Sequence, residues 1–175
     1  MTMAFSGWGL SLNGFVSNKK GEWWLVAQIV VIIAHLYPAL PLPQAKWAYE
    51  QYPLWTLGVL IVLTGTFLCA QAFIDLGTNL SPLPAPKDSA VLIREGSYKK
   101  CRHPLYRGLI ISSLGITVAT GSIIHLFLLI IFCTVLVKKA KREEKELVLI
   151  YSDYLLYARK TKAIIPNLPF LDWSI

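Results

Sequence analysis

Between Leu54 and Phe73 the chain runs for twenty residues without a charge. Wound as a helix at about 1.5 Å per residue, that stretch matches the roughly 30 Å hydrocarbon core of a bilayer. A helix that is apolar all round has to be enclosed, by a large protein core or by lipid. With 175 residues the chain has room for one domain. Its residues are 55% hydrophobic and only 15% charged, whereas a soluble domain carries about 25% charged residues. The balance points to lipid. Gly58 and Gly65, with Thr64 and Thr66, would let a neighbouring helix come close.

Other apolar runs flank this one. Trp23 to about Leu40 opens behind Lys19, Lys20, Glu22 and a Trp pair, a headgroup pattern, and closes on His35, Tyr37 and Pro38. His35 reads as a hydrogen-bonded interior histidine. Pro38 to Tyr52 reads as an uncytoplasmic, aromatic loop. Leu105–Ala119 and Ser122–Val137 are shorter runs around Thr120-Gly121-Ser122, and predict a tight helical hairpin whose His125 satisfies local backbone or water. After Val137 the spacing of Leu147, Ile150, Tyr151, Tyr154, Leu155 and Ala158 predicts an amphipathic helix with Glu143 on its buried face and Glu144 and Glu146 further round. The last residues, Leu171 to Ile175, read as exposed.

The expected fold class is therefore all-α, a polytopic membrane bundle of about four spans, the last two a hairpin, followed by a C-terminal amphipathic cytoplasmic helix. It forms one membrane domain over residues 1–175: an interfacial arm at 1–22, two spans within 23–75, and a functional half at 76–175. Cys69, Cys101 and Cys133 form no CxxC pair, so neither a disulfide framework nor a metal site is expected. No signal peptide is apparent at the N-terminus.

Net charge is +7, which could mean nucleic acid. The cations instead cluster beside apolar runs: Lys19 and Lys20, Lys87 to Arg102, and Lys138 to Lys162 hold 15 of the 17 Lys and Arg residues. Four spans put all three groups on one face, which the positive-inside bias makes cytoplasmic together with both termini. No nucleic-acid partner is expected; the bilayer is the partner.

Two cytoplasmic segments then stand beside the membrane and can meet, because the hairpin returns the chain to the face it left. They read Gly96-x-Tyr98-x-x-x-Arg102-His103-Pro104-x-Tyr106-x-Gly108 and Arg142-Glu143-Glu144-x-x-Leu147. Polar groups at such a boundary cost free energy unless paired or wet. By charge alone they could be a salt-bridged flank, with Lys139–Glu143 and Arg142–Glu146 as i,i+4 pairs.

This paired pattern resembles the isoprenylcysteine carboxyl methyltransferase family of integral membrane methyltransferases. Tyr151-x-x-Tyr154-x-x-Tyr157 with Ile165-Pro166, and the upstream Leu76-Gly77-x-Asn79-Leu80-Ser81-Pro82-x-Pro84, are similar to segments of its small prokaryotic members. The resemblance covers residues 76 to 166. It implies methyl transfer from S-adenosylmethionine, with S-adenosylhomocysteine as product, in a cytoplasm-facing pocket. By the resemblance Tyr98, His103, Pro104, Leu105, Tyr106 and Gly108 would enclose the cofactor and Glu143 and Glu144 would complete its polar contacts. Arg102 would stand at the boundary with the acceptor. Arg102, Arg142 and Glu143 are the candidate catalytic residues, since an arginine can hold an acidic acceptor in place. The acceptor implied is lipophilic or prenyl-like, bearing a carboxylate, thiol or amine. Cys101, Arg107 and Tyr151-Ser152 depart from the family's usual residues. A membrane reductase of the sterol reductase type and a non-catalytic membrane scaffold are the other readings.

Overall fold

The computed structural model describes residues 12–18, 20–37, 48–84 and 91–174. Most of the expected arm, the loop after Tyr37 and the run through Lys87 lie outside them. Six helices follow one another: α1 (Leu12–Ser17), α2 (Glu22–Ala34), α3 (Ala48–Leu76), α4 (Pro104–Thr120), α5 (Ile123–Ile150) and α6 (Tyr154–Lys160). Short 3₁₀ turns occupy Gly77–Asn79 and Gly96–Lys99. Among the described residues there is no strand, only an isolated parallel bridge between Cys101 and Lys162. Two helical stretches, Tyr52–Asn79 and Ile123–Ile150, are long and apolar enough to cross a bilayer, and α2 is a shorter apolar helix.

Where α3 meets α4, the backbones touch. Gly58 and Gly65 on α3 face α4, and Gly108 and Gly115 on α4 face α3. A Cβ on Gly65 would stand 2.5 Å from the Ser112 nitrogen, and one on Gly115 would stand 2.6 Å from the Val62 nitrogen. The small residues expected to admit a neighbour do so, and the neighbour is α4. Pro104 opens α4 as expected, its missing N–H being one that a helix start leaves unbonded anyway. Gly121, left-handed at φ 57°, closes α4 and leaves only Ser122 before α5 begins.

α2 packs on α5, with Val31, Phe132 and Leu136 in the apolar core. His35 is an interior histidine with both ring nitrogens engaged, Nδ1 at 2.7 Å from the Val31 carbonyl and Nε2 at 2.6 Å from Ser113 Oγ. His125 differs from expectation. Its Nε2 donates across the bundle to the His35 carbonyl at 3.3 Å rather than to its own turn.

Three boundaries also differ. α3 begins at Ala48, so the end of the expected 38–52 loop is helical, with Pro53 tolerated inside the helix. The second arm of the hairpin and the amphipathic tail helix are one continuous α5, because Lys138–Glu146 contains neither Gly nor Pro and is rich in good helix formers. The break comes instead at Tyr151–Asp153, and α6 has only seven residues. The final segment is not free: Leu171 is buried in the core, and its N–H and carbonyl bond to Leu168 and to the 164–165 backbone.

Candidate active site

The site is assembled where α4 begins, beside the C-terminal half of α5 and the returning tail. The backbone of residues 102–103 bonds to the tail: Arg102 N donates to Lys162 O at 2.8 Å, and His103 N to Ala163 O at 3.0 Å. These bonds fix the two side chains before any side-chain contact is counted.

Glu144 is the hub. Its Oε1 accepts from Arg102 Nε at 2.6 Å and from His103 Nε2 at 2.9 Å, and its Oε2 accepts from Trp173 Nε1 at 2.7 Å. An ionised carboxylate only accepts, so His103 Nε2 carries a proton here. Arg102 is equally occupied, since Nη1 donates to the Ala158 and Thr161 carbonyls and Nη2 to the Trp173 carbonyl. Both side chains are almost wholly buried. A buried pair is tolerable only when the remaining donors and acceptors are met, and these are.

Glu143, the adjacent residue, stands differently. Its side chain is 30% exposed, and it borders a cleft also lined by Tyr98, His103, Leu147, Tyr154 and Tyr157. Its Oε2 accepts from Tyr106 Oη at 2.9 Å and lies 3.7 Å from His103 Nδ1. The Tyr106 ring stacks on His103, 5.4 Å between centroids and 6° between planes. Behind Tyr106, buried Lys139 sits 5.5 Å from the ring and donates to Gln28 Oε1 at 2.6 Å and to Pro82 O at 2.9 Å. That lysine ties α2, the segment after α3 and α5 to the wall of the site.

The cleft's far wall is Leu76, Asn79, Ser81, Leu83 and Pro84 with Val91 to Ile93. Its enclosed volume is small, about 80 Å³. Tyr157 Oη donates to the Tyr98 carbonyl at 2.6 Å. Burial, then the Glu143 charge, holds the Tyr98 phenol well above its ordinary pKa, so it stays a neutral hydrogen-bonding group. Burial does the same to Tyr154, followed by the charges of Glu144 and Glu143. Tyr154 Oη is buried without a hydrogen-bond partner and its residue lines the cleft.

The sequence-derived site residues thus divide. Tyr98, Arg102, His103 and Glu143 line the cleft, with Tyr106 and Glu144 directly behind them. Pro104, Leu105 and Gly108 do not line it. Pro104 borders a separate cavity, the Leu105 carbonyl accepts from the Cys69 thiol, and Gly108 belongs to the α3–α4 seam. Arg142 is away from the cleft, paired with Glu146 at 3.1 Å. The expected orientation of the carboxylates is reversed, for Glu144 is the buried one. Trp173 was not foreseen. It stacks near His103 and lies under Arg102 and Lys141.

A family model described as phospholipid methyltransferase matches residues 54–154, which include α4, all of α5 and the motifs of the site. The protein-S-isoprenylcysteine O-methyltransferase of Schizosaccharomyces pombe is 27% identical over 187 residues, covering 97% of this chain and 77% of that protein. The cobalt-zinc-cadmium resistance protein CzcN of Cupriavidus metallidurans is 24% identical over 169 residues, covering 93% of this chain and 71% of that protein. With its apolar spanning helices and a match over more than half its length, this chain belongs to the phospholipid methyltransferase family of membrane methyltransferases.

Proposed function

We propose that the chain transfers a methyl group from S-adenosylmethionine to a lipophilic acceptor at the membrane, and that the cleft beside Glu143 binds the cofactor. The observation that carries this reading is the contrast at the motif pair: one carboxylate is locked away and its neighbour stands in an aromatic-lined cleft.

The donor set fits the cofactor. Glu143 offers a negative charge to an ammonium or to ribose hydroxyls. The Tyr98, Tyr157 and His103 rings supply the faces that favour a positive sulfur or stack on a base. The buried, unpartnered Tyr154 Oη is a hydrogen-bonding group awaiting a polar ligand. When bound, S-adenosylmethionine supplies a methyl group on a sulfonium, an electrophile needing in-line approach more than activation.

The chain's own residues then position and shield. The Tyr106 hydroxyl holds the Glu143 carboxylate in one orientation, and Arg102, saturated by Glu144 and three carbonyls, fixes Glu144, which in turn holds His103 at the wall. In this reading Arg102 is a positioning residue, and Arg142 has no part at the cleft. A nucleoside-sized ligand needs more room than the enclosed space offers, so the walls at Leu83 and Ile93 have to give on binding. The acceptor enters from the bilayer; its reactive group is a carboxylate, thiol or amine, and a prenyl-like acceptor matches the printed name of the fission-yeast relative. For topology, α2, α3, α4 and α5 serve as four spans, with α4–α5 the hairpin, and the cationic segments place both termini and the cleft in the cytoplasm.

Calorimetric titration of the detergent-purified protein with S-adenosylmethionine and with S-adenosylhomocysteine tests this. Saturable binding is expected, weakened about tenfold, or about 1.4 kcal/mol, in Glu143→Gln at unchanged helix content. A folded wild type that binds neither ligand, or a variant that binds both as tightly, would end the assignment.

A further inference from the structure

A second cavity, of about 330 Å³, lies on the other side of the Cys101–Pro104 segment from the cleft. Its polar lining includes Gln71 near the end of α3, Ser97 in the 3₁₀ turn, Lys100 just after it, and Arg107 in the first turn of α4. The Arg107 guanidinium contacts the Cys101 thiol, while its Nε is buried there without a hydrogen-bond partner. A buried guanidinium N–H that donates to nothing costs free energy, and so marks a place for an acceptor. One carboxylate reaches the cavity, that of Asp75, but it already accepts from the Ser97 N–H at 2.7 Å. Lys100 and Arg107 therefore leave an excess of positive charge.

The lining also places the cavity in depth. Leu68, Gln71 and Asp75 lie on one stripe of α3 and pass from apolar to amide to carboxylate, while Phe67, Phe73 and Ile74 beside them are exposed apolar side chains. A helix that changes in this way is leaving the hydrocarbon for the headgroup layer, where lipid phosphates lie. Arginine matches a phosphate with paired donors, and lysine adds a point charge.

We propose that this cavity binds the phosphate of an anionic membrane lipid, as a site separate from the cleft and independent of the methyl-transfer reading. No group is transferred there; the lipid is held.

Native mass spectrometry of the full chain in neutral detergent, with dioleoyl phosphatidylglycerol or dioleoyl phosphatidylcholine added, reads this directly. One phosphatidylglycerol should be retained per chain, at least tenfold more tightly than phosphatidylcholine, with about tenfold loss in Arg107→Gln. Lys100→Gln should lose retention too, while Lys99→Gln, next door but outside the cavity, should not. If Arg107→Gln does not fold, Arg107→Lys and Lys100→Gln carry the same comparison. Equal retention in the Lys100 and Arg107 variants, or no preference for the anionic lipid, overturns the proposal. Inorganic phosphate that binds with the same Arg107 dependence while the lipid does not would make the ligand a soluble anion and defeat the lipid assignment.

Discussion

The flank of α4 and its start are held by opposite means. Along the seam with α3, four glycines remove side chains so that backbone meets backbone, and the contact has no charge to satisfy. At the start of α4, Arg102 and His103 converge on Glu144 with Trp173 as the fourth member, and nearly every donor has an assigned acceptor. The seam fails when an atom is added. The knot fails when one is removed, because a buried charge is left without its partner. A chain placed partly in lipid uses the first device where no water is available and the second where the site must be rigid but polar.

The largest effect should come from breaking the knot. Glu144→Ala strands the Arg102 guanidinium and the His103 Nε2–H in a buried place, a loss of about 3–5 kcal/mol for a buried pair. Thermal unfolding in detergent should show a much lower midpoint or no monodisperse protein. Glu144→Gln, which keeps an acceptor oxygen, should fall between this variant and wild type. A Glu144→Ala protein as stable as wild type would mean that Arg102 is solvated, contrary to its burial.

Next in size is an overpacked seam. Gly65→Val must push α4 away from α3, and a cost of about 1–3 kcal/mol is expected for overpacking. The comparison is sharpened by ligand binding: because none of the four glycines lines the cleft, whatever Gly65→Val protein does fold should bind S-adenosylmethionine within about twofold of wild type. Reduced stability with a tenfold weaker cofactor would show that the seam sets the geometry of the site, and the flank and the start of α4 would no longer be separable.

These two regions were unequally legible. Gly58 and Gly65 announce a close approach in the sequence, and Pro104 announces a helix start, since each follows from one residue's own stereochemistry. The identity of the facing residues, Gly108 and Gly115, needs the third dimension; Gly108 read as part of the motif when its contact is with Cys69 and Gly65. The motif pair correctly brought His103, Tyr106 and the two carboxylates together. Periodicity then assigned the buried position to Glu143, because it took the helix to continue past Ile150 with one apolar face. In the structure α5 ends there, and the tail folds back to place Trp173 against Glu144. A side chain 29 residues away decided which carboxylate is enclosed, and local spacing carries no record of it.

The tail that makes this choice is itself tied by Asp172, and its release gives the smallest and most specific effect. Asp172 Oδ1 accepts from the Ala163 N–H and Oδ2 from the Asn167 N–H, each at 3.0 Å, with Lys162 Nζ at 3.3 Å. Burial pushes this carboxyl up, but the two N–H groups and the Lys162 charge outweigh it and hold it below the usual carboxylate range. A group with a depressed folded pKa contributes its stabilisation fully above the unfolded value, about 3.9 for Asp, and loses it as pH falls through the folded value. Tryptophan emission, taken as the difference between wild type and Trp173→Phe, should therefore stay constant from neutral pH down to mild acid and change only in strong acid. Asp172→Asn should show the released signal already at neutral pH, with the Glu144 knot weakened through loss of its Trp173 donor. A wild-type transition near neutral pH would place the sensitive group elsewhere in the knot, and would make the polar end of α4, rather than its tether, the part that responds to protons.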